Sequence, residues 1–350
     1  MLKLQIILTS LFFVCASLWS QTRTTKDFTE HTFEVFPLGN LQRLDIQSKH
    51  AQISLKNWDK DSISVETHIE ILTDKPNLSG EMLDEIRINT VFYANTLQVK
   101  TNLPGNFNRT IPYKIKYNIF HPKKLALNIE NSHGKVSIEQ MQGGVVAGLS
   151  YCDIDINNLI PAHDSINNHI ELLHCKGTIS NAGTATVRIE NSDLTMVSAN
   201  KLKGSTAYSR INLNAVTDYS CSSNVDYLKI GTCQLINLKT LNSIIHVSNF
   251  GEDALFECEK GSLSIANPND HFERLRINNH QCPTNIQLNP HTTYTINGDI
   301  KDGNFVHPVQ DNLQVFRDNS NISISGQVGN DPDTETKVIV FNREADIEFY

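Results

Sequence analysis

Methionine is nearly missing from this sequence, with 4 in 350 residues, and aromatic residues reach only 7%. Charged residues are sparse too, at 19%, which excludes a bundle of charged helices. An apolar share of 39% excludes a disordered tail. A basic excess is lacking: Lys+Arg 30 against Asp+Glu 38 gives a net charge of −8, against the basic stripe of a nucleic-acid binder. No CxxC pair is present to hold zinc or run thiol redox chemistry. HExxH, GxSxG, P-loop and GxGxxG motifs are missing as well, which removes the common local signatures of catalysis and nucleotide binding. Beyond residue 20 no apolar run has the ~20 residues of a membrane-spanning helix.

Asparagine, in contrast, supplies roughly one residue in ten. It tolerates left-handed backbone and builds Asx-turns, so this usage points to many tight corners and not to long helices. The chain opens with Lys3, an apolar run from Ile6 to Val14, and small residues at Ala16, Ser17 and Ser20. That is the pattern of a removable signal peptide over residues 1–20, with a mature chain starting at Gln21 in the periplasm or at the cell surface. A lipid anchor on Cys15 is disfavoured, because Phe12-Phe13-Val14 lacks the small residue expected ahead of the cysteine.

A degenerate unit recurs at roughly fifteen to twenty-five residues: a small residue, a polar one, alternating apolar and polar residues, then a corner. Period-two alternation marks half-buried strands. The small positions are Ala51, Gly134, Cys152, Gly177, Ser192, Ser209, Cys233, Ser243, Gly261 and Ala345. Stacked units place them one above another at an inside corner, as in a β-solenoid whose turns lie about 4.8 Å apart. The expected architecture is therefore all-β, in three regions after the signal. Residues 21–121 carry irregular strands and one short helix near Ser79–Ile86. Residues 122–290 hold the compact repeats, and residues 291–350 close the chain with a hairpin-like strand pair around Asn330-Asp-Pro-Asp-Thr334.

Six cysteines follow the signal: Cys152, Cys175, Cys221, Cys233, Cys258 and Cys282. In this register several turns separate Cys152 from Cys233, beyond the ~7 Å reach of a disulfide, and Cys175 falls two residues out of line. Most are read as packing thiols, with pairing among Cys221, Cys258 and Cys282 left open.

Asp153 and Asp155 share one strand face, and polar residues outside a solenoid strand have that same pattern. His163, His169 and His174 fit neither a helix face nor a strand face. Asn330–Glu335 gathers three carboxylates but lacks the glycine and terminal Glu of a calcium loop. Asp61-Ser-Ile63 and Asp164-Ser-Ile166 match short O-glycosylation acceptors, at only three residues each. The expectation is no catalytic residue, no metal and no cofactor.

Tyr113-Lys-Ile-Lys-Tyr117, His121-Pro-Lys-Lys-Leu125 and Leu127-Asn-Ile-Glu-Asn-Ser-His-Gly-Lys-Val-Ser-Ile-Glu139 together resemble a family common in Bacteroidetes, the exported DUF4097-like adhesins. Gly298-Asp-Ile300, Gly303-Asn-Phe-Val-His-Pro308 and Ser325-Gly-Gln-Val-Gly329 continue the likeness, while Glu344-Ala345-Asp346 departs from the family's glycine corner. The resemblance covers residues 40–350 as pattern. It implies a right-handed, single-stranded parallel β-helix, an adhesin-like role and no catalytic residues. On this basis the chain is expected to be a non-enzymatic interaction or structural module of the cell envelope. Its expected partner is an envelope protein or glycan, and not nucleic acid. A carbohydrate-active enzyme on a parallel β-helix and an envelope sensor are the alternatives.

Overall fold

The computed structural model describes residues 26–163, 165–266, 268–269, 272–308 and 312–350. The signal segment with Cys15 and Gln21, and Asp164 of the second acceptor motif, lie outside them. Among the described residues the chain forms 23 strands and one helix, so it is all-β.

Strand Arg43–Lys49 pairs in parallel with Ala126–Gln140, which pairs with Val145–Asn158. The same parallel ladder continues through Asn168–Leu173, Thr184–Glu190, Asp193–Ala207, Arg210–Asn224 and Tyr227–Ala266. It then passes through Arg274–His280 to Lys337–Arg343 and Tyr294–Lys301. Each strand is a rung about 4.8 Å from the next. In the middle the step is constant: Asn168 faces Ala185 and Asp193 faces Arg210, 17 residues apart.

Alternation converts this register into a core. Ile129, Ala147, Ile170 and Val187 stand opposite one another and are buried, as are Val136, Ile154, Leu194, Ile211 and Leu228 in a second row in which Gly177 lies between Ile154 and Leu194. Each fully buried aliphatic side chain of this kind contributes about 1.5–3 kcal/mol.

The N-terminal region mixes antiparallel and parallel pairs. Lys26–Pro37 pairs with Ser62–Thr73, which pairs with Tyr113–His121, and that strand joins Ala51–Asn57 in parallel. The helix runs Pro76–Glu85, starting three residues before the expected span. Pro76 accounts for this, since its fixed φ and missing N–H suit the first turn. The C-terminal pairing also differs from expectation. Strands Asn321–Val328 and Lys337–Arg343 flank the 330–334 turn but do not pair with each other. The first is antiparallel to Leu313–Asp318 and Tyr294–Lys301, and the second lies parallel between Tyr294–Lys301 and Arg274–His280. No helix among the described residues is long and apolar enough to cross a membrane.

Candidate functional site

One corner of the stack is built by a repeated backbone feature. His50, His133, Tyr151, His174, Asn191, Tyr208, Val225, Asn242, Lys260, Gln281, Asp302 and Glu344 all have φ between +50° and +60°. Each stands immediately before a corner residue. In ladder order those are Ala51, Gly134, Cys152, Cys175, Ser192, Ser209, Asp226, Ser243, Gly261, Cys282, Ala345 and Gly303.

Two residues of the sequence-derived column do not stand there. Gly177 faces Ile154 and Leu194, two positions past the corner, and Cys175 takes the place assigned to it. A Cβ on Gly177 would lie 1.9 Å from the Ile154 carbonyl oxygen, so glycine is needed there for close backbone approach and not for the corner. Cys233 faces Val216, and Asp226 fills its corner place. The eight remaining column residues, from Ala51 to Ala345, occupy corner positions.

Hydrogen bonding explains the small polar residues at this corner. In the middle rungs the left-handed turn leaves a corner N–H without a ladder partner, and the corner side chain of the next rung supplies an acceptor. Cys175 N–H donates to Ser192 Oγ at 3.0 Å, Ser192 N–H to Ser209 Oγ at 3.1 Å, and Asp226 N–H to Ser243 Oγ at 3.1 Å. Each serine hydroxyl in turn donates to the carbonyl two residues back, at Glu190, Ala207 and Leu241. Asp226 is the hub. Its buried carboxylate accepts from Ser209 N–H, Thr206 Oγ1, Ser223 Oγ and Asn224 N–H at 2.6–3.2 Å.

Outside the corner the rings of His50, His133, Tyr151 and His174 form a stack with centroids 5.0, 4.7 and 4.6 Å apart. Beside it runs a row of alternating charge, Lys135, Asp153, Lys176, Asp193 and Arg210. Asp153 is thereby engaged with Lys176 at 3.4 Å, and Asp155 faces Ser137 and Thr178. The three candidate histidines are dispersed. His163 is exposed in a loop, His169 contacts Glu171 at 3.1 Å and His174 belongs to the ring stack. In the Asn330–Glu335 loop, Asp331 accepts from Asp333 N–H at 3.0 Å, an Asx-turn. Asp61 is exposed just before strand Ser62–Thr73. Among the described residues no group of three or more His, Cys, Asp or Glu is placed to hold a metal ion.

The main concavity lies on the outer sheet face toward the C-terminal end. It is a groove of about 1070 Å³ crossing strands from Arg210–Asn224 to Asn321–Val328. Its floor carries two outward rows, one of Ser222, Lys239, Glu257, Asn278, Phe341, Asp299 and Ser323, and beside it one that includes Glu259, His280, Arg343 and Lys301. Lys239 and Glu257 form an ion pair at 3.8 Å. Phe341 presents an exposed ring (43%), with Asn278 opposite on one neighbouring strand and Asp299 on the other. Ser323 Oγ donates to Asp299 at 2.9 Å. Nothing local in the sequence announces this floor. Phe341 and Asn278 lie 63 residues apart and meet only because Lys337–Arg343 threads back beside Arg274–His280.

No family model matches the chain, and no curated protein matches it. Among solved structures it is similar to a "putative lipid binding protein" from Parabacteroides distasonis, at 12% identity and TM-score 0.31, covering 93% of this chain and 98% of that one. A "putative adhesin" from the same organism aligns at 10% identity and TM-score 0.31, over 74% and 93% of the two chains. A "putative adhesin" from Bacteroides fragilis aligns at 11% and 0.29, over 92% and 97%. At these TM-scores the likenesses carry no inference about fold or role.

Proposed function

We propose that the chain is a non-enzymatic, exported, adhesin-like module of the cell envelope, built as a single-stranded right-handed parallel β-helix. The partner it binds is a glycan, in the groove of Phe341. The supporting observation is the floor itself: an exposed aromatic ring between a carboxamide and a carboxylate, in a groove that crosses several rungs. An apolar ring face takes the C–H face of a pyranose, while a few placed polar groups fix its hydroxyls. A rigid row of rungs offers the same chemistry repeatedly along an extended chain. Glu257 and Asp299 support binding more than hydrolysis here, because each is engaged with a neighbouring rung, Glu257 with Lys239 and Asp299 with Ser323. The domain limits proposed are residues 21–121, 122–290 and 291–350, with residues 1–20 removed on export.

Affinity electrophoresis through neutral, acidic and amino-sugar polysaccharides tests the reading. The protein is expected to be retarded by at least one class, without generating new reducing ends. Phe341→Ala should weaken that retardation about tenfold, equivalent to ~1.4 kcal/mol. Phe92→Ala, at an exposed ring on strand Arg87–Tyr93 and outside the groove, should leave it unchanged. Retardation by none of the classes, or equal retardation of Phe341→Ala, would refute the glycan reading. Turnover of a polysaccharide that is lost on changing Asp153 or Asp155 would refute the non-enzymatic one.

A further inference from the structure

All six described cysteines are buried free thiols, yet four of them stand in two neighbouring pairs. Cys152 and Cys175 occupy the same corner position on successive rungs, since Asp153 faces Lys176 one residue later. Their sulfurs are equivalently placed. Cys152 Sγ lies 3.6 Å from Asn131 O and 3.3 Å from Ser150 O, and Cys175 Sγ lies 3.4 Å from Leu149 O and 3.5 Å from Leu173 O. Those carbonyls are themselves ladder partners, Asn131 facing Leu149 and Ser150 facing Leu173.

The second pair repeats a relation seen between Ser223 and Ser243. Ser223 points inward three residues before its corner, Ser243 is the corner of the next rung, and their hydroxyls are 3.2 Å apart. Cys258 and Cys282 hold the same two positions farther along, because Cys258 faces Asn279, three residues before Cys282. Cys152 and Cys175 are directly opposed, which sets their Cα atoms about 4.8 Å apart, inside the ~4.4–6.8 Å window of a disulfide; for Cys258 and Cys282 the measure is the 3.2 Å between the equivalent Ser223 and Ser243 hydroxyls. Cys221 and Cys233, by contrast, face Leu238 and Val216 in separate rows.

We propose that Cys152–Cys175 and Cys258–Cys282 are disulfide-forming pairs, each stapling one rung to the next. The oxidant is a small or protein disulfide, R–S–S–R. One cysteine thiolate attacks it, forming a mixed disulfide and releasing one R–SH. The partner thiolate then displaces the second R–S⁻, which takes a proton. Two cysteine thiols and one R–S–S–R thus give one protein disulfide and two R–SH. Cys152 and Cys175 border a surface pocket of about 590 Å³, and the Cys258 backbone borders the groove, so a local opening of one rung is enough to bring a disulfide reagent to either buried pair. The attacking thiols are distinguishable. The hydrogen bond from Cys152 holds the Cys175 thiol below its ordinary range, and that from Cys282 does the same for Cys258. Burial pushes the Cys221 and Cys233 thiols up, each to about 12.

The test treats the full-length native protein with oxidised glutathione, denatures it in iodoacetamide, and maps the peptides by mass spectrometry. Alkylation is expected at Cys221 and Cys233 alone among these six, with cross-linked peptides joining Cys152 to Cys175 and Cys258 to Cys282. Reduction first should expose all six. Cys152→Ser, which keeps a corner acceptor of the kind Ser192 provides, should free Cys175 and leave the other link intact. Full alkylation of either pair after oxidation, or a link from either pair to Cys221 or Cys233, overturns the assignment for that pair.

Discussion

Asp226→Ala is expected to destabilise the protein by about 3–5 kcal/mol, read as a lowered urea midpoint. The carboxylate is buried and accepts four hydrogen bonds, two from backbone N–H groups and two from hydroxyls. Alanine leaves the Ser209 and Asn224 N–H groups without that acceptor and opens space at the corner. Asp226→Ser should recover at least half of the loss, because serine already serves the corners on either side, at Ser209 and Ser243. If Asp226→Ala unfolds at the native midpoint, the hydrogen-bonded hub is not a source of stability. Each variant needs a check for a single transition, since stacked proteins can lose cooperativity when one repeat fails.

Ser192→Leu should produce the second large effect. The hydroxyl accepts from Cys175 N–H at 3.0 Å and donates to Glu190 O at 2.8 Å, at a position buried between the corners of two rungs. Leucine removes the acceptor and forces branched bulk into that space. Overpacking costs about 1–3 kcal/mol, and the orphaned N–H adds about 1–3 more. Thr195 is the matched control, three residues along the same rung, half-buried, and facing Thr178 and Asn212 on the outer side. Thr195→Leu should change stability by no more than roughly 0.5 kcal/mol. Equal midpoints for Ser192→Leu and Thr195→Leu would show that the corner tolerates bulk.

What the sequence made legible was the alternation, because inward positions must be apolar and period two records that directly. Stretches such as Cys152-Asp-Ile154-Asp-Ile156 therefore read as strands without further help. Register was legible only where a rung's smallest residue sits at its corner. At Lys176-Gly177 a glycine needed for close approach lies two positions beyond a cysteine, and size alone favours the wrong one. At Asp226 the corner holds a carboxylate, which a search for small residues passes over. The left-handed positions were hidden for a different reason. Only Asn191 and Asn242 among the twelve are asparagine; the others include histidine, tyrosine and even the β-branched Val225, at φ 56°. Neighbours on adjacent rungs hold that conformation, and local propensity does not reveal them. The groove was illegible altogether, because Phe341 reaches Asn278 and Asp299 only through the return of strand Lys337–Arg343.

The constant step of 17 residues between Asn168 and Leu241 has a consequence for how such a chain can lengthen. Duplicating Asp193–Ser209 in frame would add one complete rung with its left-handed residue, its corner serine and both inward rows already in phase. An insertion one residue shorter or longer would have to be absorbed at a corner, as the 18-residue step from Ser243 to Gly261 is, and would leave the added rung out of phase with its neighbours. The gene can therefore be edited here in whole units, and the length of the outer face becomes a variable that recombination can set without redesigning the core.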